Sequence, residues 1–200
     1  QWPYTPPRDP AAIETLSNTY FESNYDIASM LRVLFNSDFF RSEASWYEKV
    51  KSPAEVVAGV LRLSGEFRKP GRAIRDRSDQ MTYMGQQLTN PPSVEGWHQG
   101  TEWIDTGTLV ERLNFASGQL SDAGNPGAHA IMEGIVERTG GTLSPEGLVD
   151  SCLDEVGALS VSEETRCALV EFASVETEEG PTARVARLLQ LVVATPEFQR

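Results

Sequence analysis

His98 is the side chain in this sequence best placed to do chemistry. It stands in the string Glu95-Gly96-Trp97-His98-Gln99-Gly100-Thr101-Glu102-Trp103-Ile104-Asp105, so three carboxylates lie within seven positions of one imidazole. A carboxylate can orient a histidine as a general base, and the same donor types can hold a divalent cation. The spacing is irregular and fits no recognised ligand pattern, so no metal site is read here. His129, the other imidazole, follows Asn125-Pro126-Gly127 at the front of an apolar helical stripe and reads as an exposed helix-start residue. No glycine-rich phosphate loop and no Gly-x-Ser-x-Gly elbow is present. No catalytic set assembles from the sequence, and no cofactor is implied.

Trp97 and Trp103 flank the histidine and carry two readings. As structure, two indoles bury large apolar areas and would pin an irregular loop onto the rest of the chain. As function, exposed indoles beside Gln86, Asn90 and Glu102 would stack a sugar or hold a peptide. The structural reading is preferred, with both rings internal. Arg112 and Asn114 just downstream are then expected to hold the loop's backbone, because an irregular buried segment needs partners for its amides and carbonyls. Gln86, Trp97, His98, Trp103, Arg112 and Asn114 form the candidate interaction set.

Cys152 and Cys167 fall in consecutive helical stretches, at numbers symmetric about a turn near Leu159 and Ser160. An antiparallel hairpin would place them at one level. Two outcomes stay open: a disulfide if the chain is exported, contributing about 3 kcal/mol in the chain-entropy model, or two small buried thiols.

The elements that must position these residues read as helices almost throughout. Asp9-Pro10 opens one helix carrying Ile13, Leu16 and Tyr20. Asp26 opens the next, whose Ile27, Met30, Leu31, Leu34 and Phe35 follow the i, i+3, i+4, i+7, i+8 template, a stripe expected to be core. Ser52-Pro53-Ala54-Glu55 combines a capping box with proline at the first helical position, ahead of Val56, Val57, Val60 and Leu61. A further helix is expected from Ile74 to Leu88. Later starts fall near Asp105, Pro126, Ser144, Ser162, Pro181 and Thr195. No alternating strand pattern occurs. The expected fold class is therefore all-α, a multi-helix bundle with short connections and one long ordered Pro/Gly/Trp-rich loop over about 85–106. Residues 1–9 read as an extended Pro-rich lead-in from an upstream segment. Residues 10–200 read as one helical domain, or as two lobes dividing at 121/122.

The 200 residues carry 17 basic and 29 acidic side chains, a net charge of −12, which disfavours nucleic acid because phosphate-backbone affinity rests on clustered Lys and Arg. At 40% hydrophobic and 23% charged the composition is that of a folded domain, and no apolar run is long enough to span a bilayer. Ten acids between Ser144 and Glu179 face Arg166 alone. That segment is a solvated acidic face or a docking surface for a basic partner. Conversely, Arg62, Arg68, Lys69, Arg72, Arg75 and Arg77 crowd one short stretch, read chiefly as a flexible basic loop.

Several strings are familiar in order. Phe35-Asn36-Ser37-Asp38-Phe39-Phe40, Val50-Lys51-Ser52-Pro53-Ala54-Glu55, Met84-Gly85-Gln86-Gln87-Leu88, Asn90-Pro91-Pro92-Ser93-Val94, Gly96-Trp97, Trp103-Ile104, Arg112-Leu113-Asn114-Phe115 and Ala194-Thr195-Pro196-Glu197-Phe198-Gln199 resemble the C-terminal region of the bacterial family catalogued as domain of unknown function 1800. The resemblance covers nearly the whole chain, with the segment from Gly118 to Gly180 the least family-like. It implies an exported polypeptide, periplasmic, cell-surface or extracellular, often encoded beside exported sulfatase-like proteins. It supplies no catalytic residue.

The functional expectation is a non-catalytic helical scaffold or protein-interaction domain, its partner another protein, such as that sulfatase-like neighbour, or a second copy. The alternative is a hydrolase or a carbohydrate-active or carbohydrate-binding module using the Trp97/His98/Trp103 loop.

Overall fold

A computed structural model describes residues 9–42, 49–66, 71, 73–122, 124–139, 144–175 and 180–200. The lead-in residues 1–8, the basic residues Arg68, Lys69 and Arg72, and the acids Glu176, Glu178 and Glu179 lie outside that set. The described residues are all-α, with eleven α-helices and no strand among them. They fall into two compact units, residues 1–49 and 50–200.

In the first unit, Asp9 accepts hydrogen bonds from the Ala11 and Ala12 amides and starts α1 (Pro10–Glu22). Asn24 and Tyr25 take left-handed backbone angles, φ 56° and 69°, which turn the chain sharply before Asp26 caps α2 (Ile27–Asn36). Ser37 caps the short α3 (Asp38–Arg41). The expected stripe on α2 is present as written but is not core. Of the described residues here only Ala12 is buried, and Ile27 and Phe35 are more than half exposed. The physical reason is geometric: two paired helices cover one flank of each other, and among the described residues of this unit no third layer closes over the stripe.

The second unit is organised around α10 (Pro181–Ala194), which packs against α6 (Thr106–Ser121), α7 (Pro126–Thr139), α8 (Pro145–Glu155) and α9 (Glu163–Ser174). Two cores share it. Val185, Leu188, Leu189 and Val192 pack with Met132, Ile135, Val149, Cys152 and Leu169. On the next residue round, Val193 joins Val56, Val57 and Val60 of α4 (Pro53–Leu63) with Met84, Phe115, Ala116 and Leu120. α6 lies along α10, so both belong to the second unit.

Local chemistry sets the helix ends. The Ser52/Glu55 capping box forms in both directions. The helix expected to reach Leu88 stops earlier, as α5 (Ile74–Tyr83), because Gly85 adopts φ +96° and closes a Schellman turn: the Gln86 amide donates to the Met81 carbonyl at 2.7 Å and the Gly85 amide to Thr82 at 3.0 Å. The terminal α11 (Pro196–Gln199) is capped by the Thr195 hydroxyl. α7 begins against α4, where Gly127 is so close to the Ser64–Gly65 backbone that a Cβ would stand 2.0 Å from the Ser64 carbonyl oxygen.

Candidate functional site

The loop between α5 and α6 is held from both ends. After the Schellman turn, Thr89 sits at φ 66°, an unfavourable angle for a β-branched residue, and the Trp97 Nε1–H donates to the Gln87 carbonyl at 3.2 Å. A 3-10 turn over Gly100–Trp103 follows. Asp105 then receives the Gly107 and Thr108 amides at 2.8 and 2.9 Å, while the Thr108 hydroxyl reaches back to the Trp103 carbonyl at 2.9 Å. The Thr108 amide above all, with the Gly107 amide and the Thr108 hydroxyl, holds the Asp105 pKa below its ordinary value, with burial opposing.

The two indoles part company. Trp103 is buried at 4% exposure and is the internal pin the sequence called for. Trp97 is only half-buried, so the expectation that both rings are internal holds for one of them. His98 is exposed; its ring stands edge-on to Trp103 at 5.7 Å and its Nδ1 lies 3.7 Å from Glu102 Oε2. That carboxylate oxygen already accepts the Gln99 amide at 3.1 Å. Glu95 and Asp105 do not complete a set around the imidazole, and no cluster of three or more metal-ligating side chains occurs among the described residues. His129, partly exposed in the first turn of α7, lies 3.1 Å from Glu133.

Arg112 and Asn114 do not hold the loop. Asn114 points outward from α6 and is exposed. Arg112 is fully buried and faces the opposite way: one terminal nitrogen donates to the Lys51 carbonyl at 2.5 Å and the other to Gln199 Oε1 at 3.3 Å. Helical rotation explains the correction, since the face of α6 that carries Arg112 also carries Phe115 and Ala116 into the core. Around Arg112 a polar node closes. The Lys51 amide donates to the Gln199 carbonyl at 3.0 Å, its ammonium donates to the Phe198 carbonyl and sits 4.7 Å from that ring's centre, and Gln199 Nε2 donates to Val193 at 2.9 Å. Gln86 belongs to the same neighbourhood through Ala54, whose amide donates to Gln86 Oε1 at 2.8 Å in the first turn of α4. Burial pushes the Lys51 pKa down, with Glu55 opposing and Arg112 reinforcing the shift. Burial likewise lowers that of Arg112, with Glu55 opposing.

Lys51 and Gln199 were not singled out from the sequence. They stand in the Val50–Glu55 and Ala194–Gln199 strings, yet nothing within either string announces a partner so far along the chain.

The cysteines form no bond. Both thiols are free; Cys152 is buried in the core and Cys167 is exposed, its sulfur 3.7 Å from Glu163 Oε1. α8 and α9 do pair as expected. Equal offset from the turn sets the height of a residue on a helix but not its azimuth, and Cys167 lies on the outer face.

The strings that converge on this node, from Val50–Glu55 to the closing Ala194–Gln199, run the length of the second unit. A sequence model described as "Protein of unknown function (DUF1800)" matches residues 3–200. The chain belongs to the DUF1800 family. No curated protein and no solved structure matches it. In this DUF1800 chain the Lys51, Arg112 and Gln199 positions of those strings meet in one node and Gln86 bonds the nearby Ala54 amide, while residues 90–95 are exposed.

Proposed function

We propose that this chain is a non-catalytic helical scaffold and protein-interaction domain of an exported polypeptide, and that the crest of the 85–105 loop is its contact surface. The observation that carries the reading is Val94. Its side chain is completely exposed, at 106% relative accessibility, on a loop whose flanks are fixed by the buried Trp103, the Trp97–Gln87 hydrogen bond and the Asp105 cap. Leu88, Pro91 and Pro92 are exposed beside it in the chain. An apolar crest on a rigid base binds with little ordering cost, which is the arrangement a docking element needs. Among the described residues no third His, Cys, Asp or Glu clusters with the neighbouring His98–Glu102 pair. Trp103, buried, offers no stacking face for a sugar.

The test mixes the purified chain with an exported sulfatase-like protein encoded beside it and follows sedimentation of each alone and together. A complex, or a self-associated form, that Val94→Asp weakens at least tenfold without altering thermal melting supports the proposal. A monomer that turns over an ester or glycoside, and loses that turnover in His98→Ala, overturns it in favour of a hydrolase.

A further inference from the structure

A second surface of the same unit has a shape and charge that the loop does not use. Between α9 and the end of α10 runs a groove of about 530 Å³, within the size range of ligand clefts. Its floor is apolar: Leu169 is buried beneath it, and Ala168 and Leu191 line it as exposed residues. Its rim at the start of α9 is acidic and polar. Glu164 is exposed there, and Glu197 reaches across from α11 to accept the Ser162 amide at 3.0 Å and the Thr165 hydroxyl at 3.1 Å. The Thr165 hydroxyl also lies 3.4 Å from the second Glu197 oxygen, so these bonds fix the carboxylate and its negative charge at the rim. The helix that lines the groove belongs to the stretch in which ten acids face one arginine, and Arg166, on the adjacent face, is paired with Asp150.

We infer that this groove receives an amphipathic cationic segment of a partner protein, which inserts an aliphatic side chain over Leu169 between Ala168 and Leu191 and sets a lysine or arginine against Glu164 and Glu197. Charge complementarity selects the occupant. An acidic or neutral apolar segment would fill the floor equally well but would meet uncompensated carboxylates at the rim. A second copy of this chain, net −12, would bring further negative charge to the same rim. The inference extends the interaction-domain reading by giving one partner chemistry, and it stands apart from the loop, because Val94→Asp leaves this groove untouched.

The probes are three labelled peptides of equal length followed by fluorescence anisotropy with the full 200-residue chain: a helical leucine/lysine amphipath, its scrambled isomer, and the leucine/glutamate counterpart. The expected result is binding of the amphipath at least tenfold tighter than the scrambled isomer, with none for the acidic peptide. Ala168→Trp, which fills the groove from an exposed position, should weaken that binding at least tenfold with unchanged melting. Glu164→Gln should weaken it and flatten its salt dependence, whereas Glu137→Gln, an exposed acid on α7, should leave it unchanged. Equal binding of amphipath and scramble, or indifference to Ala168→Trp, overturns the inference as nonspecific attraction to an acidic surface. If the groove fails and the Val94→Asp effect persists, the scaffold proposal survives without it.

Discussion

The guanidinium of Arg112 donates to the side-chain carbonyl of Gln199 across 87 residues of sequence, inside a site with no access to solvent at the arginine. It joins the middle of α6 to the last turn of the chain, and through the Lys51 carbonyl it joins both to the start of α4.

Arg112→Met should therefore destabilise the second unit by about 2–4 kcal/mol, because it strands the Lys51 and Gln199 acceptors. Arg112→Lys should recover little, since one ammonium does not reproduce the two-pronged reach of a guanidinium. Urea unfolding of the single variants and of the Arg112→Met/Gln199→Leu pair forms a double-mutant cycle; strictly additive losses would refute coupling between the two residues.

The indoles should separate in the same assay. Trp103→Ala is expected to cost about 3–5 kcal/mol through lost burial and the cavity left behind. Trp97→Ala should cost distinctly less, about 1–2 kcal/mol, because the residue is only half-buried and a single hydrogen bond is lost. Equal losses would mean that Trp97 is as enclosed as Trp103.

Gly127→Ala tests the approach of α7 to α4. A methyl group there meets the Ser64 carbonyl carbon at 2.1 Å and the Gly65 nitrogen at 2.6 Å, both backbone atoms that no side-chain rotation can clear. The expected loss is about 3 kcal/mol or more, at or beyond the usual range for overpacking. Gly134→Ala, in the same helix with nothing within 4 Å of the added carbon, should be neutral or slightly stabilising. Comparable melting of the two variants would place α7 away from Ser64.

Thiol counting tests the cysteines. With a disulfide reagent near pH 8, Cys167 should react promptly in the native protein and Cys152 only on unfolding. Burial, reinforced by the Glu155 carboxylate, pushes the Cys152 thiol up from 9.0 to about 12. A folded-state pKa above the unfolded value means that the native protein keeps its proton longer. The contribution to stability is thus full below pH 9 and declines as pH rises toward about 12. Cys152→Ala should flatten that alkaline decline, and an unaltered slope would assign it to other groups.

Much of this molecule was legible within windows of four or five residues. Asp9, Asp26, Ser52 with Glu55, Asp105, Ser144, Ser162 and Thr195 each cap a helix where the sequence placed a start, because a cap is a contract between a side chain and amides two or three positions away. The all-α class and the long loop follow from the same local signals. What the sequence could not settle was azimuth and long-range partnership. Cys152 turns inward and Cys167 outward, Trp103 inward and Trp97 half out, and Arg112 away from the loop toward Lys51 and Gln199. Each of those outcomes depends on which neighbour occupies the space beside a helix, and that is decided only when α10 gathers the others around it.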